Sequence, residues 1–447
     1  MRTIGSDSLT RLIRFSGALA AILAGASAGF AQATPHGGQF QVNSFTPNSQ
    51  QRPAAAFDAQ GRLVAVWKSF GEIGDPDSSV QGQRYSAAGL AQGAQFQVNS
   101  STGDYQGQPS VARFSNGEFV VVWESSSSTG SDLSLQSIQG QRFAADGSPL
   151  GAEFQINTFT TAEQRAPRVA TGGANEFVVV WQSYGSGGND TSGYSIQGQR
   201  FSATGVPQGG EFQVNAFTTD NQQRPGVAVD LSGNFWVVFE TSAAAGGDPD
   251  GSIQARYYYA SGVPNEPQEL ILNASVIGAQ RDPRVAAGND GLFLAVWESF
   301  DSAGTDADLS IQGYYLNAIG EPLGDEFQIN TYTTGLQTQP AVAAYGNSGF
   351  IVSWESQTAS APDPTSNIRA ARPGLGSDFQ VNTLTAGAQR YSAVTADPHG
   401  NFVVLWESAG SVGTDNAETS IQGQLYDALF RDGFESNDTG RWSSAVP

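Results

Sequence analysis

Two kinds of residue recur in this chain at spacings that could support chemistry. The first is acidic. An Asp stands nine residues after a repeating Trp or Phe at Asp132, Asp190, Asp248, Asp306, Asp363 and Asp415, and eight residues after it at Asp75. Calcium takes oxygen ligands, so a cation in each loop is one reading. A single carboxylate in a Gly/Ser-rich loop supplies too few oxygens by itself. The other reading is an Asp that caps backbone N–H groups of its own loop.

The second kind is basic. A Gln-x-x-Pro motif begins at Gln50, Gln106, Gln164, Gln222, Gln280 and Gln337, and Gln389 keeps the Gln. Within these segments lie Arg52, Arg165, Arg224, Arg281 and Arg390. Guanidinium groups clamp carboxylates bidentately, so clustered arginines point to an anionic ligand such as an acidic sugar. Alternatively, each Arg neutralises the Glu that follows a repeating Trp or Phe, as at Glu124, Glu240, Glu298, Glu355 and Glu407.

Other chemistry is poorly provided for. There is no Cys, hence no thiol nucleophile and no thiolate metal site. The two His, His36 and His399, lie away from the segments above, which argues against a Ser-His-Asp triad or a His-ligated zinc. A carboxylate pair, as in glycoside hydrolysis, is what remains. Its acids would have to differ from blade to blade, whereas these repeat, so no catalytic residue is assigned. A net charge of −21 disfavours nucleic acid as a partner.

The elements that would position these residues are written seven times. The Trp of FVVVWE recurs at Trp67, Trp123, Trp181, Trp297, Trp354 and Trp406, with Phe239 in the missing place, at spacings of 52 to 58 residues. F-Q-V/I-N recurs at Phe40, Phe96, Phe154, Phe212, Phe327 and Phe379, with Leu270 as the variant. An I-Q-G-Q-R segment is centred on Val80, Ile138, Ile196, Ile253, Ile311, Ile368 and Ile421. Each repeat therefore carries four strand-like runs: A (PSVARF), B (EFVVVWES), C (SIQGQRF) and D (EFQVN). Run B is apolar at nearly every position, so both of its faces need covering. Such a unit cannot stand alone, and radial repetition of it is an all-β, seven-bladed propeller with four antiparallel strands per blade.

The chain order adds a detail. The first element is a D strand at Phe40, and the last repeat has A, B and C but no D of its own. The N-terminal strand is thus expected to complete the last blade and close the ring without an unpaired edge. The long B-to-C loops and the D-to-A connections share one face, which is where a ligand is expected.

These repeats resemble modules of large exported bacterial repeat proteins, in which FVVVWES, IxGQRF and FxVN recur. The end of the chain, Phe430-Arg431-Asp432-Gly433-Phe434-Glu435-Ser436 with Trp442-Ser443, resembles a tail of gammaproteobacterial exported proteins, DGFESGD…WS, with Asn437 in place of the second Gly. The resemblance implies a sorting or processing tail. Calcium-binding G-G-x-G-x-D arrays, which accompany such modules, do not occur. At the other end, Arg2, Arg11 and Arg14 precede an apolar run and an Ala31-Gln32-Ala33 site, the pattern of an export signal.

The resulting expectation is a signal peptide over 1–33, a propeller over 34–429 and a sorting-like tail over 430–447. The protein is expected to be bacterial, secreted or surface-held, monomeric and without a membrane span. It would bind a glycan, a protein or a surface partner without catalysis, with no cofactor apart from possible calcium. A glycosidase or lyase acting on acidic polysaccharide, or a structural surface protein without a small ligand, are the alternatives.

Overall fold

A computed structural model describes residues 33–427, apart from 73–74, 128, 133, 174–175, 243–249, 276–277, 301–307, 347, 358–365 and 416–417. The expected signal peptide, except Ala33, and the expected tail lie outside the described residues. Among the described residues no helix is long and apolar enough to cross a membrane.

The described residues form seven four-stranded antiparallel sheets, each in the order A-B-C-D. In the third blade these are Gln164–Thr171, Phe177–Tyr184, Tyr194–Phe201 and Phe212–Gln213. Each A strand touches the A strands of both neighbouring blades, so the seven A strands line a central channel. In the last blade Thr34–Gln41 pairs with Ser420–Asp427, which is the predicted clasp.

The core lies between blades, as the two-sided B strand demands. Val120 and Val122 of the second blade pack against Phe177, Val179 and Trp181 of the third. Val178 and Val180 then face Phe235, Val237 and Phe239 of the fourth. Successive side chains of a strand point to opposite faces, so one B strand serves two interfaces. The same arrangement crosses the seam: Val403 and Leu405 of the last blade meet Leu63, Ala65 and Trp67 of the first. All six Trp of the series are fully buried. A buried aromatic of this size is worth roughly 3–5 kcal/mol against Ala.

The motif residues each have a local reason. The indole N–H of Trp181 donates to Gln164 Oε1 at 3.2 Å, and the other five Trp use the Gln of their own Gln-x-x-Pro motif in the same way. Strand D is only two residues long in four blades and seven or eight in the other three, and in each an Asn follows two residues after its end. Asn157 Oδ1 accepts the N–H of Ile138 at 2.8 Å, and this bond is repeated in every blade. The Gly of I-Q-G-Q makes room for the Phe of strand D. A Cβ on Gly198 would sit 2.7 Å from the Phe212 ring.

Candidate ligand-binding channel

Every A strand carries a bulge at the same place, two residues after the motif Gln. In the third blade the register shifts between Arg165 and Arg168. The residue at the bulge has a left-handed backbone in all seven blades: Arg52, Gln108, Ala166, Arg224, Asp282, Gln339 and Tyr391 have φ between 50° and 54°. None is Gly, so each blade carries a strained residue there, at a cost of about 1–3 kcal/mol.

A side chain from the preceding blade holds the strained position. Glu124 Oε1 accepts the N–H of Ala166 at 2.6 Å, Gln182 that of Arg224 at 3.1 Å and Glu240 that of Asp282 at 2.9 Å. Glu298, Glu355 and Glu407 do the same for Gln339, Tyr391 and Arg52. The first blade has Lys68 instead, whose Nζ lies 4.2 Å from the ring centroids of both Phe70 and Tyr105. The post-Trp acids are therefore mainly backbone acceptors. Burial pushes the carboxyl of Glu407 up to about 7; it pushes Glu298 up to about 8, with help from neighbouring Asp282.

The backbone of this ring repeats but its side chains do not, and they line the channel. The mouth is a cavity of about 380 Å³, which continues into an inner chamber of about 540 Å³. Four arginines, Arg52, Arg168, Arg224 and Arg284, face the inner chamber against one carboxylate, Asp282. The mouth adds Arg165 and Glu124. A cationic cavity in a chain of net charge −21 is a local reversal of sign.

Three of the five arginines singled out from sequence come together here: Arg52, Arg165 and Arg224. Arg281 and Arg390 are exposed and lie outside the cavity lining. Their pairing varies. Arg224 is 3.2 Å from Glu240 and 3.3 Å from Asp282, and Arg165 Nη2 is 2.6 Å from Glu163. Arg390 Nε is 3.9 Å from Glu355. The Arg52 guanidinium lies 3.6 Å over the Tyr391 ring.

Arg168 and Arg284, missed in the sequence reading, follow the motif Pro of the third and fifth blades. Each donates from Nη1 to the carbonyl of its own preceding Pro, at 2.8 and 2.7 Å. Among the described residues neither has a carboxylate within 4 Å. The signal that could have found them is an Arg directly after Pro, where other blades have Ala, Ser or Gly.

The recurrent Asp residues have partners in their own blades. Asp132 Oδ2 accepts from Asn157 Nδ2 at 2.8 Å, while Oδ1 accepts from the Ser134 N–H and hydroxyl at 3.1 and 2.7 Å. Asn215 and Asn43 reach Asp190 and Asp415 at 2.7 Å, and Asn99 reaches Asp75 at 3.1 Å. These carboxylates tie the B-to-C loop to the D strand. Asp248, Asp306 and Asp363 lie outside the described residues.

No protein-family profile matches the chain, and no curated protein matches it in sequence. Solved propellers do resemble it in shape. A fungal alcohol oxidase in complex with copper aligns at a TM-score of 0.50 and 12% identity, over 86% of this chain and 75% of that one. The endosialidase of phage phi92 gives 0.48 at 10% identity, over 92% and 72%. An α-L-arabinofuranosidase of Fusarium graminearum gives 0.46 at 12%, over 71% and 92%. At such identities the likeness concerns the fold alone, and it is the seven four-stranded sheets of this chain that make it a seven-bladed β-propeller.

Proposed function

We propose that this is an exported, non-catalytic binding propeller whose channel mouth takes a carboxylate-bearing glycan. The observation that carries the reading is the cluster of Arg52, Arg165, Arg168, Arg224 and Arg284 around one opening of an otherwise acidic molecule. Charge-assisted bonds from guanidinium forks are among the strong, orienting contacts available to a carboxylate. Strain at the seven bulge residues supports a functional ring, because it is retained where the blades differ in side chain. Export is supported by the basic and apolar N-terminal segment.

A hydrolase reading would have to rest on Asp282 and Glu124, the two carboxylates that line the mouth. Glu124 is buried and already accepts the N–H of Ala166, and Asp282 is paired with Arg224, so neither carboxylate of that pair is unengaged. That favours binding over catalysis.

The test is a glycan array probed with and without calcium, followed by calorimetry on the hits. Binding confined to uronate- or sialate-bearing glycans, weakened by Arg165→Gln and Arg224→Gln, is the expected result. Preference for neutral glycans, or equal binding by the variants, would overturn the reading. Release of reducing sugar from a hit would replace it with the hydrolase.

A further inference from the structure

The mouth arginines and the two arginines behind the motif Pro differ in what already occupies them. Arg224 is held between Glu240 and Asp282, and Arg165 by Glu163. Among the described residues Arg168 and Arg284 have only a carbonyl each, which leaves most of the five N–H donors of each guanidinium without an acceptor there. They stand on the third and fifth blades. The blade between them has Gly226 in the same place, so no side chain stands between them at that position, although Arg224 of that blade also lines the chamber. Burial and the nearby Arg284 both push the Arg168 guanidinium down, to about 9, so it is still charged at neutral pH. Two like charges facing one chamber, with no carboxylate within 4 Å of either among the described residues, are an unfavourable arrangement. Asp282 and Glu124 attract Arg168 from a distance, but Asp282 is engaged by Arg224 and Glu124 by the N–H of Ala166.

We infer that Arg168 and Arg284, which line both the mouth and the inner chamber, form a seat for a single oxyanion group, a carboxylate or a sulfate, where the two meet. The chamber of about 540 Å³ has room for one sugar ring bearing such a group, entering end-on. The seat itself stands on the two guanidiniums. That its occupant is the acidic end of a glycan rests on the function proposed above.

Thermal unfolding and calorimetry at constant ionic strength separate the two. Sodium sulfate, sodium glucuronate, sodium chloride and glucose are the probes, with an acidic polysaccharide, polygalacturonate, as the polymer. Sulfate and glucuronate are expected to stabilise the wild type beyond chloride, and glucose to have no effect. Arg168→Gln and Arg284→Gln should each weaken both by roughly tenfold or more, the loss expected for one charged hydrogen-bonding partner. Arg284→Lys keeps the charge but not the fork, and should also bind weakly. Tryptophan fluorescence confirms that each variant is folded. Arg165→Gln should leave the sulfate response intact while weakening the polymer.

A wild type that responds to sulfate and glucuronate no more than to chloride overturns the seat. So does an unchanged sulfate and glucuronate response in the folded Gln variants, whereas polymer binding that both Gln substitutions together leave intact overturns the glycan as the occupant. A sulfate response without any binding of acidic sugar or polymer keeps the seat and overturns the glycan as its occupant.

Discussion

The carboxylate of Glu124 accepts the backbone N–H of Ala166, on the next blade, at 2.6 Å. This bond fixes a left-handed residue of one blade with a side chain of its neighbour, and it spans the seam as Glu407 to Arg52. The ring is therefore latched blade to blade on its channel side, in addition to the apolar packing further out.

The latch predicts an unusual pH dependence. Burial pushes the Glu407 carboxyl up to about 7, from the 4.5 usual for a Glu. The folded state then holds the proton more tightly than the unfolded one. Its stabilising contribution is present below pH 4.5 and is lost as pH rises through 7. Glu298 acts in the same direction up to about pH 8. Thermal melts should therefore be higher at pH 5 than at pH 7.5, with Glu407 alone contributing on the order of 3 kcal/mol. Glu407→Gln should keep the latch, since Gln182 already serves that way in the third blade, and should flatten the profile. Equal melting at both pH values in the wild type would refute the assignment.

Lys68 makes the opposite slope. Burial pushes its ammonium down to about 8 from 10.5, and nearby Arg52 adds to this, against the pull of Glu124. Above pH 8 the folded state binds fewer protons than the unfolded one, so stability should rise from pH 8 towards 10.5. Lys68→Gln should remove that rise. It also offers Gln108 the acceptor that the other bulges have. A gain of about 1 kcal/mol at pH 7 is expected, net of the lost ring contacts. A clear loss of stability in denaturant titrations would mean that the rings of Phe70 and Tyr105 matter more than the missing latch.

The Trp–Gln pair gives a third prediction. Gln164→Ala leaves the Trp181 indole N–H buried without an acceptor, at about 1–3 kcal/mol. Trp181→Phe copies the fourth blade, where Phe239 stands in the Trp position and Gln222 Oε1 accepts from Asn215 at 3.0 Å instead. The double variant should therefore cost less than the sum of the two single ones. Strict additivity in a double-mutant cycle would show that the pair is not coupled.

Much of this was legible in the sequence because it repeats. Seven copies of FVVVWE, apolar on both faces, required neighbours, and the displaced F-Q-V-N at Phe40 announced the clasp. The channel was only half legible. Gln-x-x-Pro was read as one segment, so Arg52 and Arg224 were grouped with Arg165, Arg281 and Arg390. The bulge separates these two positions, and only the first carries the left-handed backbone. Arg168 and Arg284 lie beyond the Pro and fell outside the motif. The Glu series was matched to Arg because charge invites it. A backbone N–H on the next blade is an acceptor-seeking group that no side-chain pattern displays.

The clasp gives the last prediction. In six blades the D-strand Asn follows its C strand within a few tens of residues, but in the last blade Asn43 reaches Ile421 from the far end of the chain. Both Asn43→Ala and Asn157→Ala remove an acceptor for a buried N–H and a donor to a loop Asp. The local cost should be alike, at about 2–3 kcal/mol. Their consequences should differ. Losing Asn157 loosens a strand tethered at both ends, whereas losing Asn43 frees the strand that closes the ring and exposes an edge at the seam. Asn43→Ala should therefore speed hydrogen exchange across Ser420–Asp427 and in the Glu407–Arg52 latch, while Asn157→Ala changes exchange only within its own blade. Deleting residues 34–44 should reproduce the Asn43 pattern and sharply lower the melting temperature. Unchanged melting of that truncation would mean that inter-blade packing, and not the clasp, closes the ring.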